Sequence, residues 1–135
     1  MIKPKRKRIL LADCHEDVLI ALEKLLEDAG FDTTTAWTAK EALMLIDSCA
    51  FDLVLVNEYL PDARCEEVLK ALQEGGKRTF CIVMHSRVPK IVNFVPFKGL
   101  GAKDIVCKRP YTHIIELVRE VLVCDRNEIL VADAY

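Results

Sequence analysis

Asn57 follows the apolar run Phe51-Asp52-Leu53-Val54-Leu55-Val56 and leads into Glu58-Tyr59-Leu60-Pro61-Asp62. The run reads as a buried strand. The side chain at its carboxyl end lies at the mouth of an open α/β sheet, where such folds do their chemistry. A carboxylate there could attack a phosphorus atom or hold a hard cation. The amide of Asn57 does neither well. Asp13 ends a similar run, Ile9-Leu10-Leu11-Ala12, and is followed by Cys14 and His15. His85 and Lys108 stand at the ends of two later apolar runs.

Those residue types admit several chemistries. His85 beside Asp13 could act as a proton switch, since histidine titrates near neutral pH. The plainer expectation is that His85 hydrogen-bonds the lone aspartate and fills space at the sheet's mouth. Cys14 with His15 or His85 could form a thiolate pair, but no oxyanion-hole signature accompanies it, so nucleophilic catalysis is not expected. A soft metal on Asp13, Cys14 and His85 is conceivable from ligand type alone. No metal is expected, and Asp13 is the residual candidate ligand.

The elements that must position these groups alternate along the chain. Residues 8–12, 32–37, 52–56, 79–84 and 103–107 read as strands. The second is threonine-rich and edge-like, the others more buried. Residues 17–29 carry Val18, Leu19, Leu22, Leu25 and Leu26 on one helical face, with Gly30 as the stop. Thr38-Ala39-Lys40-Glu41 is a capping box. Asp62 is expected to cap a third helix running through Gln73. The stretch 87–98, with Pro89 and Pro96, predicts a short or distorted fourth helix. Pro110 opens a last helix carrying Ile114, Ile115, Val118, Val121 and Leu122. Residues 1–124 are read as one domain and 125–135 as a tail, with 129–132 a helix extension or an extra strand. Short βα units imply a parallel sheet with helices on both faces.

Composition narrows the function classes. The 135 residues are 52% hydrophobic and 30% charged, the balance of one folded globular domain. A net charge of −2 gives no general attraction to nucleic acid or membrane. The basic run Lys3, Lys5, Arg6, Lys7, Arg8 reads as a solvated lead-in to the first strand. No apolar run reaches the roughly 20 residues that span a bilayer, so a cytoplasmic location is expected. Six scattered cysteines with no CxxC pair are expected to be reduced.

With the strands placed, the chain resembles the response-regulator receiver domain of two-component signalling over about residues 7–124. The carriers are Ile9-Leu10-Leu11-Ala12-Asp13, Phe51-Asp52-Leu53-Val54-Leu55-Val56, Leu60-Pro61-Asp62, Gly101-Ala102-Lys103-Asp104, and Lys108 before Pro110. The resemblance implies a flavodoxin-like, doubly wound five-stranded parallel sheet of order 2-1-3-4-5. It also implies an acid pocket holding Mg²⁺, an aspartate phosphorylated by a histidine kinase, and a lysine on the phosphoryl oxygens. A hydroxyl after strand four and an aromatic on strand five would relay the change. Residue by residue, Asp13 and Lys108 are retained. Cys14 replaces the second acid, Asn57 the phosphoacceptor, His85 the hydroxyl (Ser86 if the register slips by one), and Ile105 the switch aromatic. Arg109 adds a residue before the proline, and Cys65 stands near the usual loop glycine. Glu58, one residue after Asn57, is aimed elsewhere by strand alternation.

The expectation is therefore a degenerate receiver, not an enzyme, in a bacterial signalling network. It would bind Mg²⁺ weakly if at all and act by contact with a protein partner, a histidine kinase or an effector, without nucleic acid or membrane. The face made by the fourth helix, fifth strand and last helix, including Val92 to Phe97, is the candidate docking or homodimer surface. The alternatives are phosphorylation at a non-standard residue and a small ligand in the emptied pocket.

Overall fold

The computed structural model describes residues 5–76, 78–86 and 96–134, with side chains as far as Val123. Five strands form one parallel sheet of order β2-β1-β3-β4-β5. They are β1 (Arg8–Ala12), β2 (Asp32–Ala36), β3 (Leu53–Asn57), β4 (Phe80–His85) and β5 (Asp104–Cys107). Between them run α1 (Glu16–Asp28), α2 (Ala39–Ser48) and α3 (Glu66–Glu74). A C-terminal helix spans Tyr111–Ala134. The parallel sense is the one the short βα units predict, and the order is the one the receiver resemblance implies.

Strand alternation divides the core in two. Leu10, Ala12, Val54, Val56, Cys81 and Val83 face α2 and α3, meeting Ala42, Ile46, Val68, Leu69 and Leu72. Ile9, Leu11, Leu53, Leu55, Ile82 and Met84 face the other way, against Leu19, Leu22 and Leu26 of α1 and Ile114 and Val118 of the C-terminal helix. Because β1 and β3 are covered on both sides, nearly every residue in them is apolar. β2 is the outer strand, and its burial is partial. Its outward donor is occupied: Glu27 Oε1 accepts from Thr33 N–H at 3.0 Å and Thr33 Oγ1 at 2.8 Å. Gly30 turns the chain from α1 into β2 at φ +100°, a conformation that favours glycine.

One expectation about helices is corrected and one open alternative is decided. Asp62 does not cap α3, which begins only at Glu66. The Leu60 N–H reaches Ala63 O, and Tyr59 bridges Arg64, so the chain first makes a tight loop. From its tip Asp62 caps α2, accepting from Ala39 N–H at 2.8 Å and Lys40 N–H at 3.0 Å. Thr38 takes the next donor, Glu41 N–H, at 3.1 Å. The C-terminal helix continues through 125–134, which is the helix extension expected as one alternative for 129–132. Residues 96–99 are helical and Phe97 is buried, while 87–95, including most of the expected fourth helix and docking face, lie outside the described residues.

The Ala39 and Lys40 hydrogen bonds hold the Asp62 carboxyl below its ordinary value of 3.8. A depressed carboxylate adds stability that is present above 3.8 and lost as pH falls through the folded value. Asp62→Ala is expected to lower the thermal midpoint by a few degrees at pH 7. Thermal melts of both proteins should show the gap narrowing as the pH is brought below 3.8.

The cysteines separate by position. Burial pushes the Cys81 thiol up to about 12, and burial with the neighbouring Glu66 raises Cys65 further still. Cys14, Cys49 and Cys107 are partly exposed. Brief iodoacetamide treatment at pH 7.5, read by peptide mass, is expected to label Cys14 and Cys49 and spare Cys65 and Cys81.

Candidate functional site

Four strand ends bring the polar residues together at the carboxyl edge of the sheet. Ala12 pairs with Val56 and Asn57 with Met84, so the next residue, Asp13, comes level with Asn57. Asp13 and Asn57 share the parity of Leu11 and Leu55, on the side of α1 and the C-terminal helix. Lys108 shares the parity of Val106 on that same side. Glu58 and His85 have the opposite parity.

Asp13 is fully buried, and each of its carboxylate oxygens meets a side-chain partner. Its Oδ1 accepts from the His15 backbone N–H at 3.0 Å and meets His15 Nδ1 at 2.7 Å. Its Oδ2 forms an ion pair with Lys108 Nζ at 2.8 Å, at an angle outside that of a hydrogen bond. Lys108 Nζ is also 3.3 Å from His15 Nδ1. A proton on Nδ1 satisfies the carboxylate; a bare Nδ1 would set its lone pair against Asp13. The donating tautomer is therefore favoured, and the Lys108–His15 contact is one of proximity. A buried carboxylate needs a cation, and Lys108, itself buried, supplies it.

Asn57 is turned away from this pair. Its Nδ2 donates to Tyr59 O at 2.7 Å, spanning the turn that follows β3. An ionised carboxylate could not make that contact, because oxygen would face oxygen. The amide is thus fitted to the loop it closes.

A second polar cluster sits on the opposite side of the edge. His85 Nε2 lies 2.8 Å from Glu58 Oε2, and both side chains are largely buried. Arg64 stands 3.9 Å from Glu58 and 3.2 Å from Glu66, with its guanidinium over the Tyr59 ring. This corrects the pairing expected from the sequence. The imidazole on Asp13 is that of His15, while His85 joins Glu58. The cause is the ladder: Glu58 and His85 each follow a paired residue, Asn57 and Met84, and so emerge side by side.

The response regulator receiver domain model matches residues 9–119. The chain belongs to the receiver domain family. This receiver is 31% identical over 123 residues to the alkaline phosphatase synthesis transcriptional regulatory protein PhoP of Bacillus subtilis (strain 168), covering 91% of this chain and 50% of that protein. It is 29% identical over 117 residues to the transcriptional regulatory protein CpxR of Escherichia coli (strain K12), covering 85% of this chain and 49% of CpxR. It therefore spans about half the length of the curated relatives it matches. A CheY-like response regulator receiver domain protein from Methanospirillum hungatei JF-1 superposes with a TM-score of 0.80 at 28% identity, covering 92% of this chain and 99% of that one. The signal receiver domain of a Luxo repressor protein from Vibrio parahaemolyticus shares the fold, with a TM-score of 0.83 at 23% identity, covering 94% and 98%.

Within the receiver, the remaining residues singled out from sequence fall as follows. Ile105 packs against the α2/α3 core, and Ser86 is exposed. Arg109 reaches Asp17 on α1 at 3.3 Å in the open. Cys65 is buried under the loop after β3. Mg²⁺ wants several hard anionic oxygens in octahedral array. Among the described residues Asp13 is the one carboxylate at this ion pair, and Lys108 and His15 already engage it. No helix among the described residues is long and apolar enough to cross a membrane.

Proposed function

We propose that this receiver is a phosphorylation-independent protein-interaction module of two-component signalling. The observation that carries the reading is the engaged state of the pocket: Asp13 is neutralised by Lys108 and bonded by His15, and the Asn57 amide is committed to Tyr59 O. A phosphoryl group arriving there meets no nucleophilic carboxylate and no partly filled metal shell. Even a bound phosphate would lack a relay, since Ile105 is aliphatic and His85 is held by Glu58. The domain works as a cytoplasmic partner of a histidine kinase or an effector and turns over no substrate. Two exposed aromatics at the sheet's carboxyl edge, Trp37 (42%) and Tyr59 (58%), suit a protein contact. A second copy of the chain, docked through β5 and the C-terminal helix, is part of the same reading.

The test is incubation with acetyl phosphate and Mg²⁺ followed by intact mass. An unchanged mass is expected, as is unchanged capture of native protein partners with and without that treatment. An added phosphoryl group on the wild-type chain would overturn the proposal.

A further inference from the structure

The loop after β1 carries a thiol that neither the ion pair nor the interaction reading uses. Cys14 is partly exposed, and its Sγ lies 3.8 Å from His15 Nδ1. With Asp13 these residues offer one sulfur, one nitrogen and one oxygen, all within 4.8 Å of one another. We propose that residues 13–15 form a binding site for a borderline divalent ion of the zinc type, held by Asp13 Oδ1, Cys14 Sγ and His15 Nδ1.

Geometry supports that ligand set. Tetrahedral zinc with bonds of about 2.3 Å to sulfur and about 2.0–2.1 Å to nitrogen and oxygen sets S···N near 3.6 Å and N···O near 3.3 Å. The Cys14–His15 edge already stands at 3.8 Å. The His15–Asp13 edge is 2.7 Å, held closed by a proton, and must open by roughly 0.6 Å. The imidazole can make that movement, since its side chain is 55% exposed, and Cys14 is partly exposed as well. Asp13 stays fixed, because Lys108 grips its other oxygen. With three protein ligands, the fourth position is left for water.

Charge and softness select the ion. Binding releases the Cys14 S–H proton to solvent and shifts the imidazole proton from Nδ1 to Nε2, so one proton leaves per ion. The new thiolate joins the Asp13 carboxylate against the nearby Lys108 ammonium. Glu16 and Asp17, in the first turn of α1, add negative charge beside the loop. A thiolate and an imidazole favour zinc or cobalt over Mg²⁺. The same replacement that removes a carboxylate from the hard-ion pocket thus provides a ligand for a softer one. This inference does not depend on whether the domain can be phosphorylated.

The test is titration of the reduced, chelator-stripped chain with Co²⁺. A thiolate-to-cobalt charge-transfer band saturating at one ion per chain is expected, displaced by Zn²⁺ and unaffected by excess Mg²⁺. Cys14→Ser should abolish the band. His15→Ala should weaken binding at least about tenfold. Cys49→Ser, at the other end of α2, should change nothing. Both site variants alter partly or largely exposed side chains, and circular dichroism verifies their folding. Absence of the band, or a band that survives Cys14→Ser, would overturn the site.

Discussion

Placing aspartate at both Asn57 and Cys14 is expected to give a domain that gains a single phosphoryl group from acetyl phosphate, where wild type is expected to gain none. In the double variant three carboxylates, Asp13 and the two new ones, gather at the sheet's carboxyl edge and can share a hard cation. The carboxylate at 57 then attacks phosphorus, the bond to the bridging oxygen breaks, and acetate leaves. Without Mg²⁺ the double variant should melt below wild type, because like charges crowd Asp13 and an oxygen replaces the donor that held Tyr59 O. Mg²⁺ should restore much of that loss, a rise not expected of wild type. The phosphorylated variant should still fail to signal through β4 and β5, since His85 and Ile105 are unchanged. Intact mass and thermal melts, each with and without Mg²⁺, decide it. A folded, Mg²⁺-binding double variant that remained unmodified would place the cause of silence outside the acid pocket.

Removing the ammonium from the buried pair is the second large effect. Lys108→Met leaves the Asp13 carboxylate with a half-exposed histidine as its remaining side-chain partner. Breaking a buried ion pair from one side typically costs ~3–5 kcal/mol, and His15 places this case near ~3 kcal/mol. Asp13→Asn should cost less, because the Lys108 stem is long enough to carry its charge outward. Combining the two should recover most of the loss, giving a coupling of at least ~2 kcal/mol. Urea unfolding at pH 7.5 of the wild type, both singles and the double measures this. A Lys108→Met protein within ~0.5 kcal/mol of wild type would mean that Asp13 does not rely on the lysine.

The sheet was legible because its signals are local and redundant. Residues 9–12 and 53–56 are apolar at every position, as a strand covered on both faces requires. The thermal and chemical identity of the pocket was less legible. Asp13, Asn57 and Lys108 are brought to one edge by three separate strands, and their positions follow from strand ends alone. Their partners do not. His15 reaches back to Asp13 through a two-residue turn in which its own backbone N–H is also held, a choice governed by loop dihedrals. Glu58 meets His85 only because β3 and β4 pair in one particular register. That register was the available signal: in a parallel pair, residues that leave their strands at the same level become neighbours. Asp62 misled for a similar reason. An aspartate a few residues before an apolar stripe suggests a cap for that stripe, yet its loop curls and delivers the carboxylate to the helix before it.

The side chain of Glu27, folded across Thr33, has a bearing on crowding as well as on the fold. An outermost strand is ordinarily an invitation, since its outward amides can recruit a foreign strand and lengthen the sheet indefinitely. Here that invitation is withdrawn at the first outward donor: any chain zipping itself onto this margin must first evict a carboxylate anchored by two hydrogen bonds. Growth by strand addition is therefore discouraged on this flank, and neighbours are left to meet the domain through side chains.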